Sequence, residues 1–349
     1  MKLRSLGLRR SSALASFSFK MAFRMPPRAT IRPPALLPGD TVGIVAPASN
    51  IDRPALLAGC AALERMGYKP YFLESIVERD LYFAGSIERR VAELEHMFAN
   101  PEVRAIVCAR GGYGVNYLLP KLPIEKLLAN PKPFVGYSDI TVLLTWLTDH
   151  GLVTFHGPMV TKDFGREYGI DLETWMAVLG NASDYEHTFS IDEVQPLVKG
   201  SAEGVLYGGC LSLLAASMGT PYEFKTEDTI LFLEDVNEKP FQIDRMLRQL
   251  LLAGKFKTVR AFVFGEMLDC QQPHGQDYTL QEVILRILAP LGVPVAFGLS
   301  SGHVRAANRV LPFGVCAKLE VGEPVRLRCE AAVAQGTGAP RILKEPSKQ

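Results

Sequence analysis

A serine stands where a predicted strand ends and a predicted helix begins. Ser138 follows a short apolar strand that ends at Val135, and Gly136 lets the backbone turn sharply between the two elements. The apolar positions of the helix follow the i, i+3, i+4, i+7 spacing and are Ile140, Leu143, Leu144 and Leu147. A hydroxyl there lies beside unpaired N–H groups and the positive end of a helix dipole, which favour an oxyanion. The position suits a nucleophile, although a residue that only caps the helix fits the same pattern.

A nucleophilic serine needs a base, and the base needs an orienting group. His303 is the preferred base, because it lies in a long glycine-containing loop after a predicted strand at 295–297, and such loops carry catalytic groups. His156 directly follows another strand and stays open as a second histidine near the site. Glu234 and Asp235 both follow an apolar strand; Glu234 is preferred because it comes first, and Asp235 is the competitor. Other serine hydrolases use the same chain order of serine, acid and histidine.

A glycine-rich loop at 111–114 and a cysteine just before it are the other candidates for chemistry. The loop has neither the GxxxxGK[ST] pattern nor a GxGxxG that opens a helix, so a phosphate cradle is the weaker interpretation. A backbone free of side chains approaches a substrate closely, which favours an oxyanion loop. Cys108 is a rival nucleophile, but a small residue inside the apolar strand AIVCAR is typical of a core.

Strands and helices alternate from Asp40 onward, which predicts a mostly parallel sheet covered by helices on both faces. Ligands of such sheets bind at the carboxyl ends of the strands, where 111–114 and Ser138 fall. The second half of the chain predicts further strands and helices, and its segments 310–319 and 325–329 are expected to pair as antiparallel strands. The expected division is a basic extension at 1–36, a nucleophile domain at 37–185, a linker at 186–204, a domain with the acid and the base at 205–335, and a tail at 336–349.

Composition narrows the possible partners. The 38 Lys and Arg residues balance 37 Asp and Glu, which argues against nucleic acid or acidic lipid as an obligatory partner. Six cysteines without a CxxC or a regular spacing indicate reduced thiols in a cytoplasm and no zinc site, and no apolar run is long enough for a membrane span. No metal or other cofactor is expected. Residues 1–39 contain no acid, and Arg9–Arg10 followed by SSALASF faintly resembles a twin-arginine signal, so export stays open beside an over-extended start.

Six motifs occur together in one order over about residues 37–325. They are RGGYG at 110–114, GYSDIT at 136–141, HGPM at 156–159, GGCLSLLAASMGTPYE at 208–223, LFLEDVNEKPFQIDRML at 231–247, and the GH and NRVLPFG pieces of 302–314. Together they resemble the LD-carboxypeptidase family, which comprises muramoyltetrapeptide carboxypeptidases and microcin-immunity peptidases.

The resemblance implies a role for each matching residue. It implies that Ser138 is the nucleophile, Glu234 the triad carboxylate and His303 the base, with the backbone N–H groups of Gly112 and Asp139 as the oxyanion hole. It further implies a flavodoxin-like N-terminal domain, a smaller β-rich C-terminal α/β domain, a site between them, and a homodimer.

The expected substrate is a murein tetrapeptide, cut between meso-diaminopimelate or L-Lys and the terminal D-Ala during peptidoglycan recycling. Its free carboxylate needs a cation, for which Arg110 and Arg305 are candidates. One alternative is an immunity peptidase that cleaves a peptidyl-nucleotide amide; it would need an aromatic clamp, for which the sequence offers only Trp146, on a predicted helix, and Trp175. The other alternative is a catalytically silent protein that binds a small ligand.

Overall fold

The computed structural model describes residues 30–271 and 277–335, so most of the expected extension and the whole expected tail lie outside the described residues. The strands are β1 Thr41–Val45, β2 Lys69–Tyr71, β3 Val103–Cys108, β4 Phe134–Gly136, β5 Thr154–His156, β6 Tyr185–Phe189, β7 Gln195–Val198, β8 Gly200–Cys210, β9 Thr229–Glu234, β10 Ala261–Gly265, β11 Val295–Leu299, β12 Leu311–Phe313, β13 Cys316–Val321 and β14 Val325–Cys329. The α-helices are α1 Arg53–Arg65, α2 Ile87–Ala99, α3 Ile124–Leu128, α4 Thr141–Asp149, α5 Leu172–Leu179, α6 Leu211–Ser217, α7 Pro240–Leu252 and α8 Leu280–Leu288.

The first sheet has the strand order β12-β5-β4-β3-β1-β2. Strands β1 to β5 are parallel, and their order is that of a flavodoxin-like doubly wound sheet. Strands β4 and β5 are buried along their whole length, as expected for a parallel sheet with helices packed on it. The predicted fold class is therefore confirmed, and the carboxyl ends of β1, β3, β4 and β5 meet at one edge.

The second sheet has the order β6-β14-β13-β8-β9-β10-β11-β7. Its centre, β8 to β11, is parallel, and antiparallel strands flank it on both sides. Strand β6 pairs with β14, and β7 pairs with β11. The segment 186–204 was expected as a linker because it is polar; in the structure it supplies the two edge strands and the start of β8. Edge strands tolerate polar residues, because one side of each faces solvent.

One predicted strand is divided between the two sheets. The sequence predicts a single strand over 310–319, whereas β12 pairs antiparallel with β5 of the first sheet and β13 pairs with β8 of the second. Gly314, at φ 92°, lies at the turn between them. The prediction of an antiparallel pair at the end of the chain is confirmed for β13 and β14. The crossing of β12 joins the first sheet to the part of the chain that carries His303.

The two sheets share an apolar core beside the carboxyl edge of the first sheet. Phe155 of β5, Phe232 of β9 and Phe313 of β12 are all fully buried in it. The first turn of α4 contributes a polar link, because the Oγ1 of Thr141 accepts a hydrogen bond of 3.0 Å from the N–H of Cys210. Elements from both sheets are therefore held together next to Ser138.

The described end of the expected extension packs on the fold. Ile31 donates a backbone hydrogen bond of 2.8 Å to Gly151, and Leu36 donates one of 2.8 Å to Leu179. Leu36 is fully buried and Ala35 nearly so. Residues 30–36 thus belong to the folded part of the chain, contrary to the expectation that the folded part begins at residue 37, because the apolar side chains of Ala35 and Leu36 are part of the core.

Candidate active site

Ser138 lies at a strained turn between β4 and α4. Tyr137 is extended, Ser138 has φ 64°, and a short 3-10 helix, Ser138–Ile140, leads into α4. A left-handed conformation costs a non-glycine residue ~1–3 kcal/mol and is kept where the surrounding structure requires it. The local prediction of a strand, a turn and a helix agrees with this geometry. The turn presents the half-buried serine hydroxyl at the carboxyl edge of the sheet, as a nucleophile elbow does.

The glycine loop lies directly against Ser138. An ideal Cβ built on Gly111 would lie 2.7 Å from the Cβ and 2.9 Å from the Oγ of Ser138, so only a glycine fits without displacement. Ser49, after β1, holds the loop from the other side, since its N–H donates to Gly111 (3.3 Å) and its Oγ accepts from the N–H of Tyr113 (3.1 Å). Within residues 30–271 and 277–335, the N–H of the exposed Gly112 has no acceptor. It is therefore available to a substrate oxyanion.

The carboxylate of Asp139 anchors the end of the same loop. Its Oδ2 accepts a hydrogen bond of 2.9 Å from the N–H of Val115. The buried Arg90 holds the residue before Val115, because its Nη1 donates to the carbonyl of Gly114 at 2.9 Å. Burial raises the pKa of Asp139 to about 6, against the bond from Val115 and the charge of Arg90. The side chain of Asp139 thus places the loop, while its own N–H lies next to Ser138.

Glu234, at the end of β9, holds His303 through two hydrogen bonds. The Nδ1 of His303 lies 2.7 Å from Oε2 of Glu234, and the backbone N–H of His303 donates to the same oxygen at 3.0 Å. Burial opposes the ionisation of Glu234, but the charge and hydrogen bonds of His303, with a contribution from His156, hold its pKa well below its usual range. Burial also lowers the pKa of His303, but Glu234 more than offsets this and raises it above its usual 6.5. The pair is thus a carboxylate and an imidazole that accepts a proton readily.

Glu234, not its neighbour Asp235, contacts the histidine. The Oδ2 of Asp235 accepts 2.7 Å from the N–H of Ser212, and its Oδ1 accepts 2.9 Å from Val236. Asp235 therefore caps the first turn of α6. Successive side chains of a strand point to opposite faces, which is why only one of two adjacent acids reaches the site.

His156, at the end of β5, lies behind the triad carboxylate. Its Nδ1 lies 2.8 Å from the Oγ of Ser301, which donates to the carbonyl of Arg309 at 2.9 Å, and its Nε2 lies 3.8 Å from Oε1 of Glu234. Burial lowers the pKa of His156, and Glu234 partly offsets this. The histidine that the sequence left open is thus close to the site, but it supports Glu234 and is fully buried.

The two predicted arginines lie in different surroundings. Arg110 is half-buried beside the glycine loop and donates to the carbonyl of Asn50 at 3.2 Å. The exposed guanidinium of Arg305 is paired with Asp269, which competes with any substrate carboxylate.

Lys162 is a further cation near the site that sequence reasoning missed. It is exposed on the five-residue π-helix Val160–Phe164, and its positive charge lowers the pKa of His303. The signal was its place shortly after β5, on the same edge as Ser138.

Cys108 is not placed for nucleophilic chemistry. It is fully buried at the end of β3, and burial raises the pKa of its thiol well above the usual value.

Among the described residues, no three or more His, Cys, Asp or Glu side chains are grouped to hold a metal ion. None of the helices in that part of the chain combines the length and the apolar character that crossing a bilayer requires.

Comparison with known proteins identifies the class of this molecule. Residues 42–157 match the LD-carboxypeptidase N-terminal domain, and residues 203–319 match the LD-carboxypeptidase C-terminal domain. The chain therefore belongs to the LD-carboxypeptidase family and is a peptidase, as the sequence motifs predict.

Individual relatives agree with this assignment. A probable murein peptide carboxypeptidase of Bacillus subtilis is 35% identical over 87% of this chain and 96% of its own length. The murein tetrapeptide carboxypeptidase of Pseudomonas aeruginosa is 34% identical over 80% of this chain and 92% of its own. The solved apo structure of the microcin C7 self-immunity protein has a TM-score of 0.81 and 25% identity, and it covers 87% of this chain and 100% of that chain.

Proposed function

We propose that this chain is a serine LD-carboxypeptidase that releases the terminal D-Ala of a murein tetrapeptide. The observation that carries the proposal is the Glu234–His303 hydrogen bond of 2.7 Å at the edge where Ser138 is held at φ 64°. A serine, a histidine and a carboxylate in these roles perform acyl transfer in several unrelated folds. Carboxypeptidase activity on murein peptides is what the names of two relatives state for those proteins.

The proposed reaction has two steps. Ser138 attacks the carbonyl carbon on the acyl side of the terminal D-Ala, and its proton passes to Nε2 of His303, because Nδ1 is bound to Glu234. The carbonyl oxygen becomes an oxyanion held by the N–H groups of Gly112 and Asp139. Collapse breaks the amide bond, and His303 gives the proton to the leaving amine. Water then hydrolyses the ester, with His303 again taking and returning a proton.

Recognition of a free terminal carboxylate requires a cation near the leaving residue. The candidates for this cation are Arg110, which lies beside the glycine loop, and Lys162, which is exposed and whose charge lowers the pKa of His303. Arg305 is the weakest of the three candidates for binding the carboxylate, because its guanidinium is paired with Asp269. Inverting the leaving residue would move its carboxylate away from such a cation, so the site should prefer D-Ala.

A second candidate is an immunity peptidase that acts on a peptidyl-nucleotide. Its support is the likeness to the microcin C7 self-immunity protein and a group of aromatic rings beside the glycine loop. Tyr113 of that loop is 42% exposed and packs with Tyr82 and Tyr117, and exposed rings stack on bases. The two tryptophans of the chain serve less well as a clamp, because Trp175 is fully buried and Trp146 lies half-buried on α4.

Mass spectrometry of the purified protein with four peptides and one aminoacyl-nucleotide amide distinguishes these functions. We expect release of D-Ala from the tetrapeptide, little release of L-Ala from its diastereomer, and little cleavage of the tripeptide or of the D-Ala–D-Ala bond of the pentapeptide. Comparable rates on the tetrapeptide and its L-Ala diastereomer would overturn the LD assignment. Faster cleavage of the nucleotide amide would favour the immunity function, and no cleavage of any compound would favour the silent binding protein.

The remaining parts of the proposal concern the domains, the oligomeric state and the cellular location of the protein. We propose that the first sheet supplies Ser138, that the second sheet, to which the segment 186–204 contributes strands, supplies Glu234 and His303, and that the protein is a homodimer. We also propose that it acts on recycled murein peptides in the cytoplasm. Sedimentation of the purified protein and fractionation of the cells that make it test the last two points.

A further inference from the structure

The residues that directly precede the proposed nucleophile and base are both buried, and the first of them contacts the base. Tyr137 precedes Ser138 at the end of β4, whereas Gly302 precedes His303 in the loop after β11. These elements belong to different sheets. The ring of Tyr137 packs edge-on against the imidazole of His303, with ring centres 5.0 Å apart. The alignment of Ser138 with His303 therefore depends on how Gly302 is held relative to Tyr137.

Asn308 holds Gly302 by two hydrogen bonds. Its Oδ1 accepts from the N–H of Gly302 at 3.0 Å, and its Nδ2 donates to the carbonyl of Gly302 at 3.0 Å. Asn308 is fully buried. On its other side, Gly302 meets Glu234, since an ideal Cβ on Gly302 would lie 2.7 Å from the carboxyl carbon. Two bonds to the N–H and the carbonyl of one residue determine both its position and its orientation.

Asp163 extends this contact to the nucleophile side. It lies on the π-helix Val160–Phe164 and is nearly fully buried. Its carboxylate interacts with the side chains of Asn308 and Tyr137, and its Oδ2 accepts 2.8 Å from the N–H of Met159. The carboxylate thus lies near both the amide of Asn308 and the phenol of Tyr137, the residue before Ser138.

We infer that Asn308 is a positioning residue of the active site, which with Asp163 and Tyr137 sets the place of His303 relative to Ser138. The inference rests on the proposed serine mechanism. The backbone of Asn308 is anchored separately, because its N–H donates to Gly169 and its carbonyl accepts from Asp171, each at 3.0 Å. Replacing the side chain therefore leaves the loop attached to the fold and the bonds from His303 to Glu234 in place, and it removes the two bonds that hold Gly302.

Asn308→Ala is the principal test, and Asp163→Asn is the milder one. Displacing a catalytic group by about 1 Å can cost a factor of about 100 in rate. We expect Asn308→Ala to lower kcat about 100-fold with KM changed less than about threefold, because substrate contacts remain. Asp163→Asn keeps one acceptor oxygen and should lower kcat less. Asn100→Ala is the matched control: its Oδ1 accepts from the N–H of Glu102 at 3.0 Å, outside the site.

Labelling of Ser138 by a fluorophosphonate probe separates this inference from the choice of substrate, because the probe needs only an activated serine. We expect labelling of Asn308→Ala to slow as much as peptide cleavage while circular dichroism shows a folded protein. Labelling and kcat at the wild-type level in that variant would overturn the inference, even if its Tm fell. If Asn308→Ala does not fold, the same readouts on Asp163→Asn decide.

The wild-type protein supplies the remaining distinction. If it is labelled but cleaves no tetrapeptide, the proposed substrate is wrong, and the labelling rates of the variants alone decide the role of Asn308. If it is neither labelled nor active on any peptide, the serine mechanism is wrong and the inference is overturned with it.

Discussion

Oε2 of Glu234 accepts two hydrogen bonds from His303, one from the ring and one from the backbone N–H. The first orients the imidazole, and the second fixes the chain that carries it. The carboxylate is fully buried and the histidine is mostly buried, so solvent does not compete for either bond. This arrangement keeps a proton on Nδ1 and leaves Nε2 as the basic nitrogen.

The three proposed triad residues should act as one unit. We expect Ser138→Ala, Glu234→Ala and His303→Ala each to lower kcat by about 10³-fold or more, with losses in the double variants that do not add. Steady-state kinetics on the tetrapeptide, with circular dichroism to confirm folding, measures this. Full activity of Ser138→Ala would rule out the serine mechanism.

The adjacent acid offers a matched control for the carboxylate. Glu234→Gln should abolish most activity, because the amide cannot stabilise the imidazolium as a carboxylate does. Asp235→Asn removes a capping carboxylate from α6 and should lower thermal stability while kcat changes far less. A larger loss of kcat in Asp235→Asn than in Glu234→Gln would show that Asp235 is the orienting acid.

The pH dependence follows from the charges around His303. Burial lowers its pKa, Glu234 and to a lesser degree Asp235 raise it, and Lys162 lowers it; the net effect is a pKa above 6.5. Only the neutral imidazole accepts the proton of Ser138, so kcat/KM should fall as pH decreases through this raised value. Lys162→Met should move the acid limb to still higher pH. An acid limb below pH 6 in the wild-type protein would contradict the assignment of His303 as base.

Gly111 should tolerate no side chain. The methyl group of Gly111→Ala would lie 2.7 Å from the Cβ of Ser138, so the serine or the loop must move. We expect kcat/KM to fall about 100-fold with a small change in Tm. Gly165→Ala is the control, because its added methyl would lie an ordinary 3.7 Å from the Cβ of Ala58. Equal activities of the two variants would show that the loop does not contact the working serine.

The cation that binds the terminal carboxylate can be identified by comparing a peptide acid with its amide. Loss of a charge-assisted hydrogen bond should lower kcat/KM roughly 10- to 100-fold. We expect this loss on the tetrapeptide acid, and not on the C-terminal amide, for Lys162→Met or Arg110→Met. Arg305→Met should change neither rate much, because Asp269 already engages Arg305. A selective loss in Arg305→Met would restore the assignment made from sequence.

Local patterns of the chain were sufficient for much of the fold. The apolar spacing from Ile140 to Leu147 predicts the helix α4, and the four residues at those apolar positions are buried in the structure. The turn at Ser138 was predicted as well. Such features depend on residues within one or two turns of each other, so periodicity and capping preferences identify them.

The amino-acid sequence is enough to show which residue types are available at the carboxyl edges of the strands and in what order they follow. Which of these residues meet depends on the packing of the folded chain. Glu234 and His303 are 69 residues apart, and His156 and Ser301 are 145 apart. The role of Asn308, the pairing of β12 with the first sheet and the engagement of Arg305 by Asp269 likewise depend on long-range packing. The partner of a side chain in a loop depends on how distant elements pack, and local sequence periodicity carries no information about that packing.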